Sequence, residues 1–419
     1  MTVEYLSLHF SAPWREGLQR SGNGAIKTNL FNACAAVRGI PELGRRIYYD
    51  EMRGEVAITD PLPWDSRGNR QWTEHDDNIL TTFLQRADLN VSTAIAAQAV
   101  ETVAYEQRRH PIREYFDGLT WDGEPRIGAW LSSYLGVAYN AYSSTIGACW
   151  LKAAAARIRW PGCKVDNIVI LNGPEGVRKS TAVKSLCPNI KWFSDSLPSI
   201  VDTNERDVAT HLRGVWIIEL AELAAVVGDR RAGSIEKVKA FATRETDRYR
   251  AAYARREIEV PRQCVFMGTS NETIFTSHTG NRRFWPVDVT MIDIDALMRD
   301  RDQLWAEAWH RIGEGEEWYI TDPNVNNMAK EEQKAREEED PWSAPIIEWI
   351  DRRLADGADL SAVLPITLLT DAIGVRQCDV DKSKTLRVTK ILSRIGFVSK
   401  MRRISGVVGR YWDLSALSR

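Results

Sequence analysis

The sequence predicts an α/β protein built around a phosphate-binding loop, with a small, mostly helical segment before it and a basic helix-and-hairpin module after it. Three observations predict this. The apolar run Ile168-Val-Ile-Leu171 enters the glycine turn Asn172-Gly-Pro-Glu-Gly-Val-Arg-Lys-Ser-Thr181 and then a helical pattern. Apolar strand-like runs alternate with helical patterns from there to Val289, as a three-layer α/β domain requires. Between Arg376 and Arg410 ten Lys/Arg residues stand against Asp379 and Asp381, a local charge of +8 in a chain of net charge −2. A polyanion is the expected partner of that stretch.

Three domains are expected, at residues 1–120, 121–340 and 341–419. In the first, a helix begins after Asn29, two short strands flank the turn at Gly54, and two helices follow, with Thr73 and Ser92 as their caps. Trp121-Asp-Gly-Glu-Pro-Arg126 is rich in turn formers, and the Ala/Trp-rich stretch from there to Trp160 reads as helices leading into the strand at Ile168. The charged run Ala329 to Pro341 is expected to be a solvated helix or linker. Beyond it come helices at Ile346 to Leu354, Ile366 to Ile373 and Lys382 to Ile395, then a two-stranded wing, the plan of a winged-helix domain. The last of these helices is expected to expose Lys382, Lys384, Arg387, Lys390 and Arg394 and to bury Leu386, Val388, Ile391 and Leu392.

With 44% hydrophobic and 27% charged residues the composition is that of an ordinary folded protein. The six cysteines are scattered without C-x-x-C spacing, so reduced core residues are expected rather than zinc ligands or disulfides. The chain starts Met1-Thr-Val-Glu-Tyr without a basic-then-apolar leader, and no window approaches 18 uninterrupted apolar residues. No membrane partner and a cytoplasmic location are therefore expected.

The loop carries the chemistry. Gly173 and Gly176 let backbone amides curl round an anion without Cβ obstruction; Lys179 can reach the β- and γ-phosphates, and Ser180 can ligate Mg²⁺. Pro174, Glu175, Val177, Arg178 and Thr181 complete the nucleotide-binding segment, and ATP with Mg²⁺ is the expected ligand. Arg178 stands where the pattern G-x-x-x-x-G-K-[ST] has its second glycine, and its side chain either crowds the loop or adds a phosphate contact.

Further along, Gly214-Val-Trp-Ile-Ile-Glu219-Leu-Ala-Glu222 is a buried strand ending in carboxylates; Glu219 can hold Mg²⁺ and Glu222 can polarise an attacking water. The strand Cys264-Val-Phe-Met-Gly268 ends in Thr269-Ser-Asn271, where the Asn271 amide can orient water against the γ-phosphate. Arg282 and Arg283 sit on a tight turn and can enter a neighbouring subunit's site, with a surface salt-bridging turn as the rival. Between Lys237 and Arg256, Lys237, Lys239, Arg248, Tyr249 and Arg250 combine phosphate neutralisation with a stacking surface for single-stranded DNA. A solvated helix and hairpin is the alternative there. Lys384, Arg387, Lys390, Arg402 and Arg403 are the corresponding candidates for duplex DNA.

Taken with Arg109-His-Pro-Ile-Arg113, Leu119-Thr-Trp-Asp-Gly-Glu-Pro-Arg126, Ile218-Glu-Leu-Ala-Glu-Leu223, Gly268-Thr-Ser-Asn271, Gly280-Asn-Arg-Arg-Phe-Trp285 and Leu304-Trp-Ala-Glu-Ala308, the chain resembles the virulence-associated E family over roughly residues 90 to 340. These are phage and mobile-element ATPases related to superfamily-3 helicases. The resemblance implies an AAA+-like core with catalytic Lys179, Glu219 and Glu222, Asn271 as sensor, Arg282 and Arg283 as a finger acting in trans, and a strand-gripping hairpin from Lys239 to Arg256. It also implies a homo-oligomeric ring, expected to be a hexamer, working on DNA in a bacterial host. The first 110 residues are too few for the primase module of larger relatives, so primase activity is expected from a separate protein. A DNA-binding regulator that uses ATP only to assemble is the alternative from another class. A small-molecule kinase lacks an evident acceptor site.

Overall fold

Helix formation in the N-terminal part follows its caps. Asn29 accepts from the Asn32 amide ahead of helix Leu30–Gly39, Thr73 and Asp76 form a reciprocal capping box on helix Glu74–Arg86, and Ser92 caps helix Thr93–Tyr105. These helices pack on a sheet of β1 (Ile47–Asp50), β2 (Glu55–Ile58), β3 (Arg70–Gln71) and β4 (Arg108–Arg109), in the order β3-β2-β1-β4. Ala33, Val37, Ile47, Leu80, Leu84 and Val100 lie in their shared core. The computed structural model describes residues 13–196, 205–221, 238, 240–249, 257–271, 281–336, 340–404 and 407–413. The chain divides into two compact units, Met1–Arg336 and Glu337–Arg419. Residues on both sides of position 120 lie in the first unit.

Every residue of β5 (Ile168–Asn172) is buried, as in a strand covered on both faces. It belongs to an all-parallel sheet with β6 (Phe193–Ser194), β7 (Ile217–Leu220), β10 (Val265–Ser270) and β11 (Phe284–Asp288), in the order β11-β5-β10-β7-β6. Side chains alternate between the faces. Val169, Leu171, Ile217, Val265 and Met267 enter a core shared with helices Ala141–Arg159 and Ile294–Gly313, while Ile168, Ile170, Ile218 and Phe266 face Val208, Leu212, Val238 and Phe241. Between β7 and β10 the chain forms an antiparallel hairpin of β8 (Thr246–Tyr249) and β9 (Ile258–Pro261). Aromatic rings fill the first core: Trp305, fully buried, lies 4.5 Å from the Trp216 ring centroid, and its indole N–H donates to the Leu186 carbonyl at 2.8 Å.

The charged run near residue 330, expected as a solvated helix or linker, is helical to Ala335 but is not solvated all round. Helix Pro323–Ala335 buries Val325, Ala329 and Gln333, Gln333 donates to the Phe284 carbonyl at 2.9 Å, and Arg336 pairs with Asp288 at 2.7 Å. Apolar positions spaced by four residues turn one face inward despite the surrounding charge.

In the second unit, helices Ser343–Ala355 and Lys382–Arg394 and the helical turns from Pro365 to Ala372 surround Ile346, Leu368, Val388, Ile391, Leu392 and Trp412. The antiparallel strands β12 (Val398–Ile404) and β13 (Val407–Asp413) follow, and Val363 adds a bridge to Trp412 on the open side of β13. Leu386 was expected in this core and is instead 51% exposed. At about 100° per residue it points roughly 200° away from Val388, so one helix face cannot bury both.

Replacing Trp305 with alanine should destabilise the first unit by about 3–5 kcal/mol, the range for removing a fully buried tryptophan. The denaturant midpoint followed by circular dichroism should fall accordingly; an unchanged midpoint would place Trp305 outside the stabilising core.

Candidate functional site

The cleft lies where the C-terminal ends of β5, β10 and β7 meet. β10 runs between the other two, with Ser270 opposite Asn172 and Gly268 opposite Leu220. Glycine is needed at 173 for space: a Cβ there would meet the Val289 carbonyl oxygen at 2.6 Å and the Val289 Cγ2 at 2.8 Å. Gly176 is left-handed at φ 84°, and so is Arg178 at φ 68° and ψ 31°, immediately before helix Lys179–Ser185. For a residue with a Cβ that conformation costs about 1–2 kcal/mol. The cleft has a volume of about 410 Å³ and is lined by Glu175, Gly176, Arg178, Lys179, Ser180, Thr181, Ala221, Thr269, Ser270 and Asn271.

The Lys179 ammonium is buried and donates to the Gly173 carbonyl at 2.6 Å, the Pro174 carbonyl at 2.8 Å and Asn271 Oδ1 at 2.9 Å. Burial lowers its pKa, and the carboxylates of Glu175 and Glu219 oppose that shift. Glu219 is 1% exposed. Its Oε1 accepts from the Ser180 hydroxyl at 2.6 Å and from the Thr269 hydroxyl at 2.7 Å. Ser180 and Glu219 thus offer adjacent oxygens of the kind a hard divalent cation takes, beside a lysine and left-handed loop backbone suited to phosphate. Thr269 is the residue that motif reading missed. Its signal is the period of two in β10, which places it on the same face as Val265 and Met267, next to Glu219.

Lys179 and Ser180, Glu219, and Asn271, proposed from three separate sequence segments, therefore converge. Glu222, Lys237, Lys239 and Arg250 lie outside the described residues, as does the side chain of Tyr249. Arg282 and Arg283 sit on the turn Asn281–Arg283 at the start of β11, with Arg282 exposed. Because Phe284 pairs with Ile168, the turn is at the end of the sheet opposite the loop, roughly 15 Å of strand away. Arg248 is exposed and pairs across the hairpin with Glu259 at 3.2 Å.

In the second unit, several basic side chains have internal partners. Arg387 grips Asp340 at 2.8 and 2.7 Å and lies 4.0 Å from the Trp342 ring centroid, Lys384 holds Asp381 at 2.7 Å, and Lys400 and Arg402 share the buried Asp413. Lys382, Lys390, Arg403 and Arg410 are exposed.

Fold and cleft define an α/β protein in which an inner strand of the parallel sheet, β5, ends in a glycine turn carrying a buried lysine and a serine hydrogen-bonded to a buried glutamate. The chain belongs to the virulence-associated protein E-like family, whose domain model matches residues 116–338, more than half of its length. Among solved structures, the apo structure of the NrS-1 C-terminal region superposes with a TM-score of 0.47 at 13% identity, covering 88% of this chain and 95% of that one. The A-form apo structure of the same region gives 0.48 at 13% identity, with 88% and 96% covered. No curated protein matches the chain in sequence. Among the described residues no helix is long and apolar enough to cross a membrane, and no cluster of His, Cys, Asp or Glu could hold a metal ion by itself.

Gly173→Ala should lower stability by about 1–3 kcal/mol, the usual cost of forcing a methyl into a packed site. The readout is the melting temperature of the ligand-free protein, and an unchanged value would mean that the Val289 segment moves aside freely.

Proposed function

We propose that the chain is an ATP-hydrolysing DNA helicase or replication-initiation ATPase of a phage or mobile element, working as a ring on single-stranded DNA in the cytoplasm of a bacterial host. The observation that carries this is the convergence of Lys179, Ser180, Glu219 and Asn271 on one cleft at the C-terminal edge of a parallel sheet. The order β11-β5-β10-β7-β6, with the loop after β5, the inner strand between β11 and β10, supports an AAA+-like core.

Lys179 would set its charge against the terminal phosphates, and Asn271, released from the lysine, would orient water toward them. Ser180 and Glu219 would hold Mg²⁺, which supplies charge neutralisation at the phosphate oxygens. Glu222 is the proposed base for that water. Arg282 and Arg283 cannot span the sheet to their own loop, which favours service to a neighbouring subunit and hence a ring, with a hexamer the proposed size.

The hairpin β8–β9, with Arg248 and Tyr249 on it and Lys237, Lys239 and Arg250 near it in sequence, is the proposed grip on one DNA strand. The second unit, helices followed by a hairpin, is proposed as a winged helix for duplex DNA. There Lys390 and Arg403 present exposed charge, while Lys384, Arg387 and Arg402 would have to exchange carboxylates for phosphates. Primase activity would come from a separate protein.

Strand displacement on forked DNA is the deciding experiment. ATP should support unwinding, whereas a non-hydrolysable analogue and the Lys179→Ala protein should not. ATP-dependent assembly on DNA without displacement would favour the regulator instead.

If the arginines act in trans, mixing Arg282→Ala,Arg283→Ala protein with Lys179→Ala protein should restore part of the ATPase, because some interfaces then join an intact loop to an intact finger. No recovery, with mixed oligomers seen by native mass spectrometry, would assign the arginines a structural or same-chain role.

A further inference from the structure

We propose that Arg178 is a second cationic ligand of the nucleotide's polyphosphate, doing through its side chain what the glycine usual at this position cannot. The proposal rests on the assignment of the loop as a nucleoside-triphosphate site. Arg178 holds the left-handed backbone that favours glycine, and Gly176 shows that the same loop uses glycine where only the backbone matters. The arginine therefore carries a conformational cost that its own chain does not visibly offset. It is exposed, so burial returns little, and while its carbonyl accepts from the Ala182 amide at 3.0 Å, its side chain makes no hydrogen bond or ion pair among the described residues.

What it does is line the cleft. The other cation there, Lys179, is already bonded to the Gly173 and Pro174 carbonyls and to Asn271. Glu175 lines the same space and repels an incoming polyanion. Arg178 thus supplies a positive charge not engaged by the loop itself. Its planar guanidinium can donate two parallel hydrogen bonds to phosphate oxygens. The cost of the left-handed backbone is then returned only when a phosphate arrives.

The test uses the full chain and calorimetric titration with Mg²⁺·ADP. Arg178→Gly should bind about tenfold or more weakly, the loss expected for a charge-assisted hydrogen bond, while the ligand-free protein should melt at a higher temperature because the strain is gone. Arg178→Ala should lose affinity similarly without that gain in melting temperature. Binding by Arg178→Gly within twofold of wild type, while Lys179→Ala binds much more weakly, would overturn the role of Arg178 and leave the loop assignment standing. A lower melting temperature for Arg178→Gly without loss of affinity would make the side chain structural and likewise overturn the proposal. Failure of the wild-type protein to bind nucleotide would overturn both.

Discussion

Parallel pairing of β5, β10 and β7 is the constraint on which the rest of the first unit depends. Parallel strands need long crossovers, and here these carry helices Lys179–Ser185 and Glu205–His211, while helices Ala141–Arg159 and Ile294–Gly313, before β5 and after β11, complete the cover of one face. The same pairing brings three strand ends to one edge, so the loop after β5, Asn271 after β10 and Glu219 within β7 arrive together. A shift of one residue in β10 would turn Thr269 to the opposite face and take its hydroxyl from Glu219. The register is held by large apolar side chains on both faces, which cannot exchange places without emptying a core.

Burying charge at this edge is costly unless the charged groups find partners, and Glu219 and Lys179 both do. Glu219 has two hydroxyl donors on one oxygen, and Lys179 has three acceptors. The acceptors on Lys179 include the backbone of its own loop, so the lysine holds the loop closed on itself. A phosphate that competes for the ammonium would release both the loop carbonyls and the Asn271 amide, linking occupancy to the end of β10.

The hairpin β8–β9 is rooted by a second buried ionic group. Arg262 is 2% exposed, bonds both Asp247 oxygens and lies 4.4 Å from the Phe241 ring centroid, while Arg157 donates to the Arg262 and Arg244 carbonyls at 3.1 and 3.2 Å. Such pairs add little net stability, yet breaking one leaves an uncompensated charge in the interior. They hold the hairpin's base at a fixed place on the core and leave Arg248 to solvent.

Local chemistry was legible in the sequence: the capped helices at Asn29, Thr73 and Ser92, the buried strand at Ile168, the glycine turn with Lys179 and Ser180, and the acid at Glu219 each declare themselves within a few residues. The two-residue strands β3 and β4 were not legible, since they are too short to carry a period, and neither was the inward face of helix Pro323–Ala335, hidden under its charge. Leu386 misled because an apolar side chain in an amphipathic helix was assigned to the core by type rather than by angle. By itself the sequence determined which groups are candidates for phosphate chemistry, because residue type and immediate neighbours set that. Only the tertiary structure decided that Thr269 supports Glu219, that Asn271 holds Lys179, that Arg282 and Arg283 stand at the far end of the sheet and that Arg387 is tied to Asp340. The three side-chain pairs among these join residues 47 to 92 positions apart, and strand register and packing bring them together where local preference cannot.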